Sequence, residues 1–368
     1  MNRPLLTASM IVRDEERFLT ECLKSVRQVV DEIVIVDTGS TDNSKAIARS
    51  FDAGLFDFVW CDDFSAARNE ALRHSRGEWI LYIDADERLQ PVERQHIEDL
   101  LSDRSKVAFT VRFHPQKGFT PYREYRIFRN DPRILFDGVI HETIVPSLYA
   151  VGAEDNLDIG HSDVAIVHTG YDKGHDHKHG RNLALLRRQV KRDPKRIFCW
   201  WHLGFVFVGL GNDEEAEEAW ECGIKVVRRK SSLDAVDSLP YVDLIRLRLN
   251  KGKDVTALTE EALTLFPGHY LLIWLNGKSL MSQKRFSEAI SIFKYLVSID
   301  GKSFDAGPFA YDARIFDVLS YEALAGCYYK LGRFEESAVY YGLAEQCEPG
   351  NMEYKIKRRF VSARAGSE

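Results

Sequence analysis

Two short runs of continuously apolar residues each stop on an aspartate: IVIVD at residues 33–37 and ILYID at residues 80–84. Strands this apolar need cover on both faces, which a mostly parallel sheet with helices on either side provides. Further β-branched, apolar runs at 5–12, 58–60 and 107–113 alternate with segments of helical character, a βαβ pattern. EERFLTECLKSV places Phe18, Leu19, Cys22, Leu23 and Val26 on one helical face. After the turn at Thr38, Gly39 and Ser40, the next helix is expected to take Ser40 or Thr41 as its N-cap. Ligands of open α/β sheets gather at the carboxyl ends of the strands, where Asp37 and Asp84 fall.

The second run continues as WILYIDADER. In an extended chain, side chains two apart share a face, so Asp84 and Asp86 would point the same way. Two such carboxylates suit a hard divalent cation, Mg²⁺ or Mn²⁺. The plain alternative is a charged turn before a helix that begins near Pro91. VDTGSTDN has one glycine and no GxGxxG, and no GxxxxGK[ST] occurs, so dinucleotide and P-loop sites are excluded. A phosphorylated ligand would then need the cation to hold its charge.

Composition narrows the setting. A chain of 368 residues exceeds one ordinary core, which predicts two domains. The net charge of −6 and the lack of a basic stripe argue against nucleic acid as a partner. Six cysteines form no CxxC pair, as expected of reduced thiols in the cytoplasm. The first apolar run is short and followed at once by charge, so no signal peptide is read. No apolar stretch reaches the ~18 residues of a membrane span.

Taken together, SMIVRDEERFLTECLKSV, DEIVIVDTGSTDNS, DDFSAARNEAL and GEWILYIDADE, in that order and spacing, resemble the family 2 glycosyltransferases of the GT-A fold. The likeness is close over residues 5–90. It continues more loosely through EYRIFRN, FDGVIHE and IVHTGY, similar to the branch containing lipopolysaccharide-core sugar transferases. The resemblance implies a nucleotide-diphosphosugar donor, a UDP-sugar in the first expectation, and inversion at the anomeric carbon. It implies that Asp37 contacts the base or ribose and that Arg68 lies near the base or diphosphate. Asp84 and Asp86 become the DxD, with Asp86 ligating Mn²⁺ or Mg²⁺ directly, Asp84 assisting, and His168 a candidate third ligand. In similar proteins cationic residues follow the GY motif, here Lys178 and Arg181 with Asn182, and these could cover the donor phosphates.

The chemistry asks for such groups on its own terms. Cleaving a sugar–phosphate bond develops negative charge on the departing diphosphate, which a cation neutralises. An acceptor hydroxyl must lose a proton, and Glu142 in VIHE is the candidate general base, weighed against a surface carboxylate after Gly138. His175, His177 and His179 alternate in GHDHKHG and could bind a transition metal, although a solvated linker is the favoured reading.

From about residue 180 the strand pattern gives way to helical pairs with tetratricopeptide-like spacing. Trp200, Leu203, Gly204, Phe207, Ala216, Trp220 and Gly223 fit the first unit, and about four units follow in all. The expected architecture is α/β followed by all-α: a GT-A domain at residues 1–172 and a TPR-like helical repeat domain at 173–368. Stacked pairs form a groove suited to a peptide or to a second subunit in a homodimer. The expected activity is metal-dependent sugar transfer to a peptide or protein, in the layout of bacteriocin S-glycosyltransferases. The rivals are transfer to a cell-surface or lipid-linked glycan, a repeat scaffold with an inactive transferase domain, and, more weakly, a nucleotidyltransferase.

Overall fold

The computed structural model describes residues 3–170, 176–301, 304, 307 and 309–366, and of residues 176–179 and 181 only the backbone. The chain divides into two compact units, Met1–Lys117 with Pro121–Asp193, and Gly118–Thr120 with Pro194–Glu368.

The first unit opens with β1 (Leu6–Val12), α1 (Glu16–Val26), β2 (Glu32–Asp37), α2 (Ser44–Ser50), β3 (Gly54–Asp57), α3 (Phe64–His74) and β4 (Trp79–Tyr82). It continues through β5 (Glu87–Leu89), α4 (Arg94–Leu101), β6 (Lys106–His114), β7 (Tyr122–Arg129), α5 (Val145–Asp155), β8 (Asp158–His168) and α6 (Asp176–Arg192). The eight strands form one sheet in the order β3-β2-β1-β4-β7-β6-β8-β5. The half from β3 to β4 is parallel. Beyond it, β7 runs antiparallel to both β4 and β6, β8 runs parallel to β6, and β5 antiparallel to β8.

The sheet is therefore mixed, with four parallel and three antiparallel neighbour pairs, so the mostly parallel expectation holds except at β7 and β5. Residues 115–121 between β6 and β7 are too few for a crossover, which needs about a dozen, so these strands pair antiparallel. The apolar strand pattern holds in β4. Trp79 and Leu81 pack into one core with α1, whereas Ile80 packs on the opposite face with Phe128 and Leu148. From α1, Leu19, Cys22, Leu23 and Val26 are fully buried, each apolar side chain contributing about 1.5–3 kcal/mol.

Three local expectations are corrected. The third strand is Gly54–Asp57, and Val59 beyond it is 91% exposed, so the apolar 58–60 run is not a strand. Helix α2 starts at Ser44 after Asn43. Ser40 and Thr41 are used instead in loop pairing, where Ser40 Oγ accepts from the Asp14 N–H (2.9 Å) and the Thr41 N–H donates to Asp14 Oδ1 (2.7 Å). The helix expected near Pro91 begins at Arg94, and the short strand β5 (Glu87–Leu89) intervenes between the acidic turn and that helix.

Helix α6 belongs to the first unit, so the division falls after Asp193. Its Leu186 and Gln189 are fully buried, and Gln189 Oε1 accepts the Val139 N–H at 3.0 Å.

The second unit is helical. Its pairs are α7 (Ile197–Gly209) with α8 (Asp213–Val227), α9 (Leu239–Asn250) with α10 (Thr256–Leu265), α11 (Tyr270–Ser282) with α12 (Phe286–Val297), and α13 (Val318–Lys330) with α14 (Phe334–Cys347). A last helix, α15 (Met352–Ala365), follows. Small residues permit close crossings: a Cβ on Gly204 would lie 2.3 Å from Trp220 Nε1, and one on Gly277 2.6 Å from the Phe293 ring.

Phe293 is fully buried, so Gly277→Ala should destabilise the second unit by about 1–3 kcal/mol through overpacking. Urea unfolding followed on the second unit's transition measures this; an unchanged midpoint would mean that the ring yields.

Candidate functional site

Asp37 ends β2 and is 1% exposed. Its Oδ1 accepts the N–H groups of Gly39 and Ser40, each at 3.0 Å, and lies 3.3 Å from Lys45 Nζ. Gly39 makes the turn possible with φ +106°. Burial alone would raise the Asp37 pKa, but the Ser40, Gly39 and Lys45 hydrogen bonds outweigh it and hold the carboxyl below its usual range. Oδ2 is buried and has no hydrogen-bond partner among the described residues. A buried carboxylate with one satisfied and one open oxygen is poised to accept from a ligand hydroxyl or N–H.

Arg68 projects from α3 between two carboxylates. Its Nη2 donates to Asp84 Oδ1 at 2.9 Å and its Nε to Glu142 Oε1. The guanidinium also lies over the Tyr82 ring, 4.9 Å from its centroid. Glu142, 11% exposed in its side chain, is thus brought to the same place as Asp84, although the two are 58 positions apart in sequence. The loop that delivers it is closed by paired Asp137–Thr143 backbone bonds of 2.9 Å and requires φ of +113° at Gly138 and +50° at His141.

The DxD is not extended. Asp84 to Glu87 form a turn in which the Glu87 N–H donates to the Asp84 carbonyl at 3.0 Å. The two aspartates consequently take different partners: Asp84 faces Arg68, and Asp86 Oδ2 faces His168 Nε2 at 3.0 Å. His168 arrives because β5 pairs with β8 in a register that sets Glu87 opposite it. Thr169 ties the contact down, donating to the Asp86 carbonyl through both its N–H and its hydroxyl at 2.8 Å. Gly170 leaves the space for the carboxylate, since a Cβ there would stand 2.2 Å from Asp86 Oδ2.

Asp86 and His168, with side chains 28% and 24% exposed, set an oxygen and a nitrogen 3.0 Å apart. That donor pair fits a divalent cation whose remaining positions are filled by ligand or water oxygens. No group of three or more His, Cys, Asp or Glu converges among the described residues. Asp84 is engaged by Arg68, and the expected trio is not gathered at one point. Lys178 and Arg181 have side chains outside the described residues, as do His177 and His179, and His175 lies outside them altogether.

Sequence reasoning missed Lys45, Glu87, Arg126 and Gly170. The available signal for Arg126 was EYRIFRN, whose buried arginine interrupts an otherwise amphipathic strand. For Gly170 it was the glycine two residues after His168.

Residues 7–150 match the family described as Glycosyl transferase family 2. A TPR repeat-containing protein of Synechococcus elongatus is 38% identical over 225 residues, 59% of this chain and 55% of that protein. The SPbeta prophage-derived glycosyltransferase SunS of Bacillus subtilis is 26% identical over 281 residues, 72% of this chain and 64% of its own. The lipopolysaccharide core biosynthesis glycosyltransferase LpsC of Rhizobium meliloti is 35% identical over 155 residues, 38% of this chain and 57% of its own. The chain spans little more than half the length of these relatives. Family match and mixed sheet agree on a GT-A-like first unit, and the relative named for TPR repeats agrees with the helical second unit. Among the described residues no helix is long and apolar enough to cross a membrane.

Partial burial would lower the His168 pKa, but the hydrogen bond and charge of Asp86 outweigh it and hold the pKa above the usual 6.5. The pair's contribution to stability is therefore full below about 6.5 and lost as pH rises through the raised value. Asp86→Asn should bring the His168 pKa down; imidazole NMR titration reads this, and an unmoved pKa would show that the neighbouring carboxylates suffice.

Proposed function

We propose, for a chain whose residues 7–150 match glycosyl transferase family 2, that it moves a sugar from a nucleotide diphosphosugar to a peptide or protein acceptor with a divalent cation, Mn²⁺ or Mg²⁺. The observation that carries the reading is the Asp86–His168 pair, set beyond the carboxyl ends of the parallel strands with the open oxygen of buried Asp37 nearby in strand order. A UDP-sugar is the donor we favour.

In this reading Asp37 accepts from the base or ribose through Oδ2, and Asp84 and Arg68 line the path of the diphosphate. Asp86 and His168 would hold the cation, which when bound neutralises charge on the departing diphosphate. Cation binding would need His168 without its proton, so affinity would rise with pH through the window above 6.5. Glu142 takes the acceptor's proton. The Arg68 hydrogen bond fixes its orientation, and a direct displacement would invert the anomeric carbon.

The helical second unit supports a polypeptide acceptor, since stacked helix pairs present a long surface for one. Transfer to a glycan is the alternative, supported by the similarity to a lipopolysaccharide-core enzyme. A cysteine acceptor would supply its own thiolate and lessen the demand on Glu142.

Nucleoside diphosphates with and without Mn²⁺ should raise the melting temperature of the purified chain, the pair more than either alone. No stabilisation by any of them would sink the reading. With labelled nucleotide sugars, peptides should be labelled in preference to glycans. Glu142→Gln should bind donor as the native chain does while transfer to a hydroxyl falls by about 10²–10⁴-fold. Transfer near the native rate would send the search to another base.

A further inference from the structure

Two charged residues with no part in the proposed chemistry brace the acidic turn, one at its end and one outside it. Glu87 is 2% exposed and Arg126, on β7, is 4% exposed. Arg126 donates from Nη1 to Glu87 Oε2 (3.1 Å) and from Nη2 to Glu87 Oε1 (2.7 Å), a bidentate pair, and from Nε to Glu124. Its guanidinium lies over the rings of Tyr82 and Phe113, 4.1 and 5.0 Å from their centroids.

The pair does more than satisfy itself. Glu87 Oε2 also accepts the Asp84 N–H at 2.9 Å, while the Glu87 N–H returns to the Asp84 carbonyl at 3.0 Å. Cys22 Sγ reaches that same carbonyl from α1 at 3.3 Å. The turn from Asp84 to Glu87 is thus closed twice, once by backbone and once by a side chain that Arg126 holds still.

Without the arginine, three carboxylates within four residues would repel one another and favour an open turn. A buried ion pair is an inefficient source of stability, because desolvation offsets most of its attraction and an apolar pair would serve the core as well. What an apolar pair could not do is accept the Asp84 N–H. The distinguishing feature is therefore this tie from the ion pair to the backbone of the DxD.

We propose that Arg126 and Glu87 are positioning residues that lock the Asp84–Glu87 turn, directing Asp84 to Arg68 and Asp86 to His168 and so presetting the site for cation and diphosphate. The inference rests on the sugar-transfer reading above. Tyr82 contributes an aromatic ring that both guanidiniums share, Arg126 at 4.1 Å and Arg68 at 4.9 Å from its centroid.

The test compares the full native chain with Arg126→Lys, with the apolar pair Arg126→Met plus Glu87→Met, and with Glu124→Gln, which removes a charge beside Arg126 but leaves the turn's own bonds. Mn²⁺ binding is followed by electron paramagnetic resonance. Stabilisation by UDP, GDP, CDP, dTDP and ADP in the presence of Mn²⁺ is followed by melting temperature. Arg126→Lys and the Met pair should weaken Mn²⁺–nucleotide binding by about 10- to 100-fold, the cost usual for an outer support of a metal site. Glu124→Gln should stay within about twofold of native.

If Arg126→Lys fails to fold, the Met pair carries the test, because it removes the charges together. A folded Met-pair variant that binds like the native chain overturns the inference, as does Glu124→Gln losing as much affinity as Arg126→Lys. Failure of the native chain to bind any of the five nucleotides would instead overturn the sugar-transfer reading, and this inference with it.

Discussion

A four-residue turn at the end of one buried strand organises the first unit. The chain leaves β4 at Tyr82, passes Asp84, Ala85 and Asp86, and re-enters the sheet as β5 at Glu87. Because Glu87 pairs with β8 rather than with β4's neighbours, this turn joins the parallel half of the sheet to its far edge. Every acidic side chain in it then meets a different cation or imidazole: Asp84 meets Arg68, Asp86 meets His168 and Glu87 meets Arg126. An arrangement with one partner per carboxylate keeps three like charges close together without mutual repulsion governing the local backbone.

Burial decides how strongly these pairings constrain geometry. Arg68 and Arg126 are largely withdrawn from water, so each is held by directional hydrogen bonds and by an aromatic face, and neither can rotate without leaving a carboxylate unpaired. Asp86 and His168 remain about a quarter exposed, a more exchangeable contact at the mouth of the site. Rigid support below and an accessible pair above is the combination that a site for a cation and a phosphorylated ligand requires. Asp37 follows the same logic at the next strand end but one, with one oxygen fixed by the turn and the other open.

The second unit works on a different principle. Its helices cross closely because Gly204, Gly223 and Gly277 face Trp220, Pro240 and Phe293, small against large. Here the packing requirement explains the aromatic content without any chemical role. Residues 298–317, between α12 and α13, interrupt the regular succession, and some of them lie outside the described residues. Its Tyr311 exchanges hydrogen bonds of 2.8 Å with Thr120, which is why Gly118–Thr120 is grouped with this unit.

The amino-acid sequence by itself determined what depends on neighbours along the chain. The apolar runs of β1, β2 and β4, the buried face of α1, the aspartates at two strand ends and the small-large spacing of the repeats are all local patterns, and each was readable. What depends on distant pairing was not. The β6–β7 hairpin set an antiparallel strand within a mostly parallel sheet, because strand direction follows connection length and register rather than apolarity. The same distant pairing bent the DxD into a turn where an extended chain was expected. It also set His168 opposite Glu87 across β5 and β8, and tied Glu87 to an arginine 39 residues away. A carboxylate's partner is chosen in three dimensions, so the tertiary structure alone decided which acid meets which base.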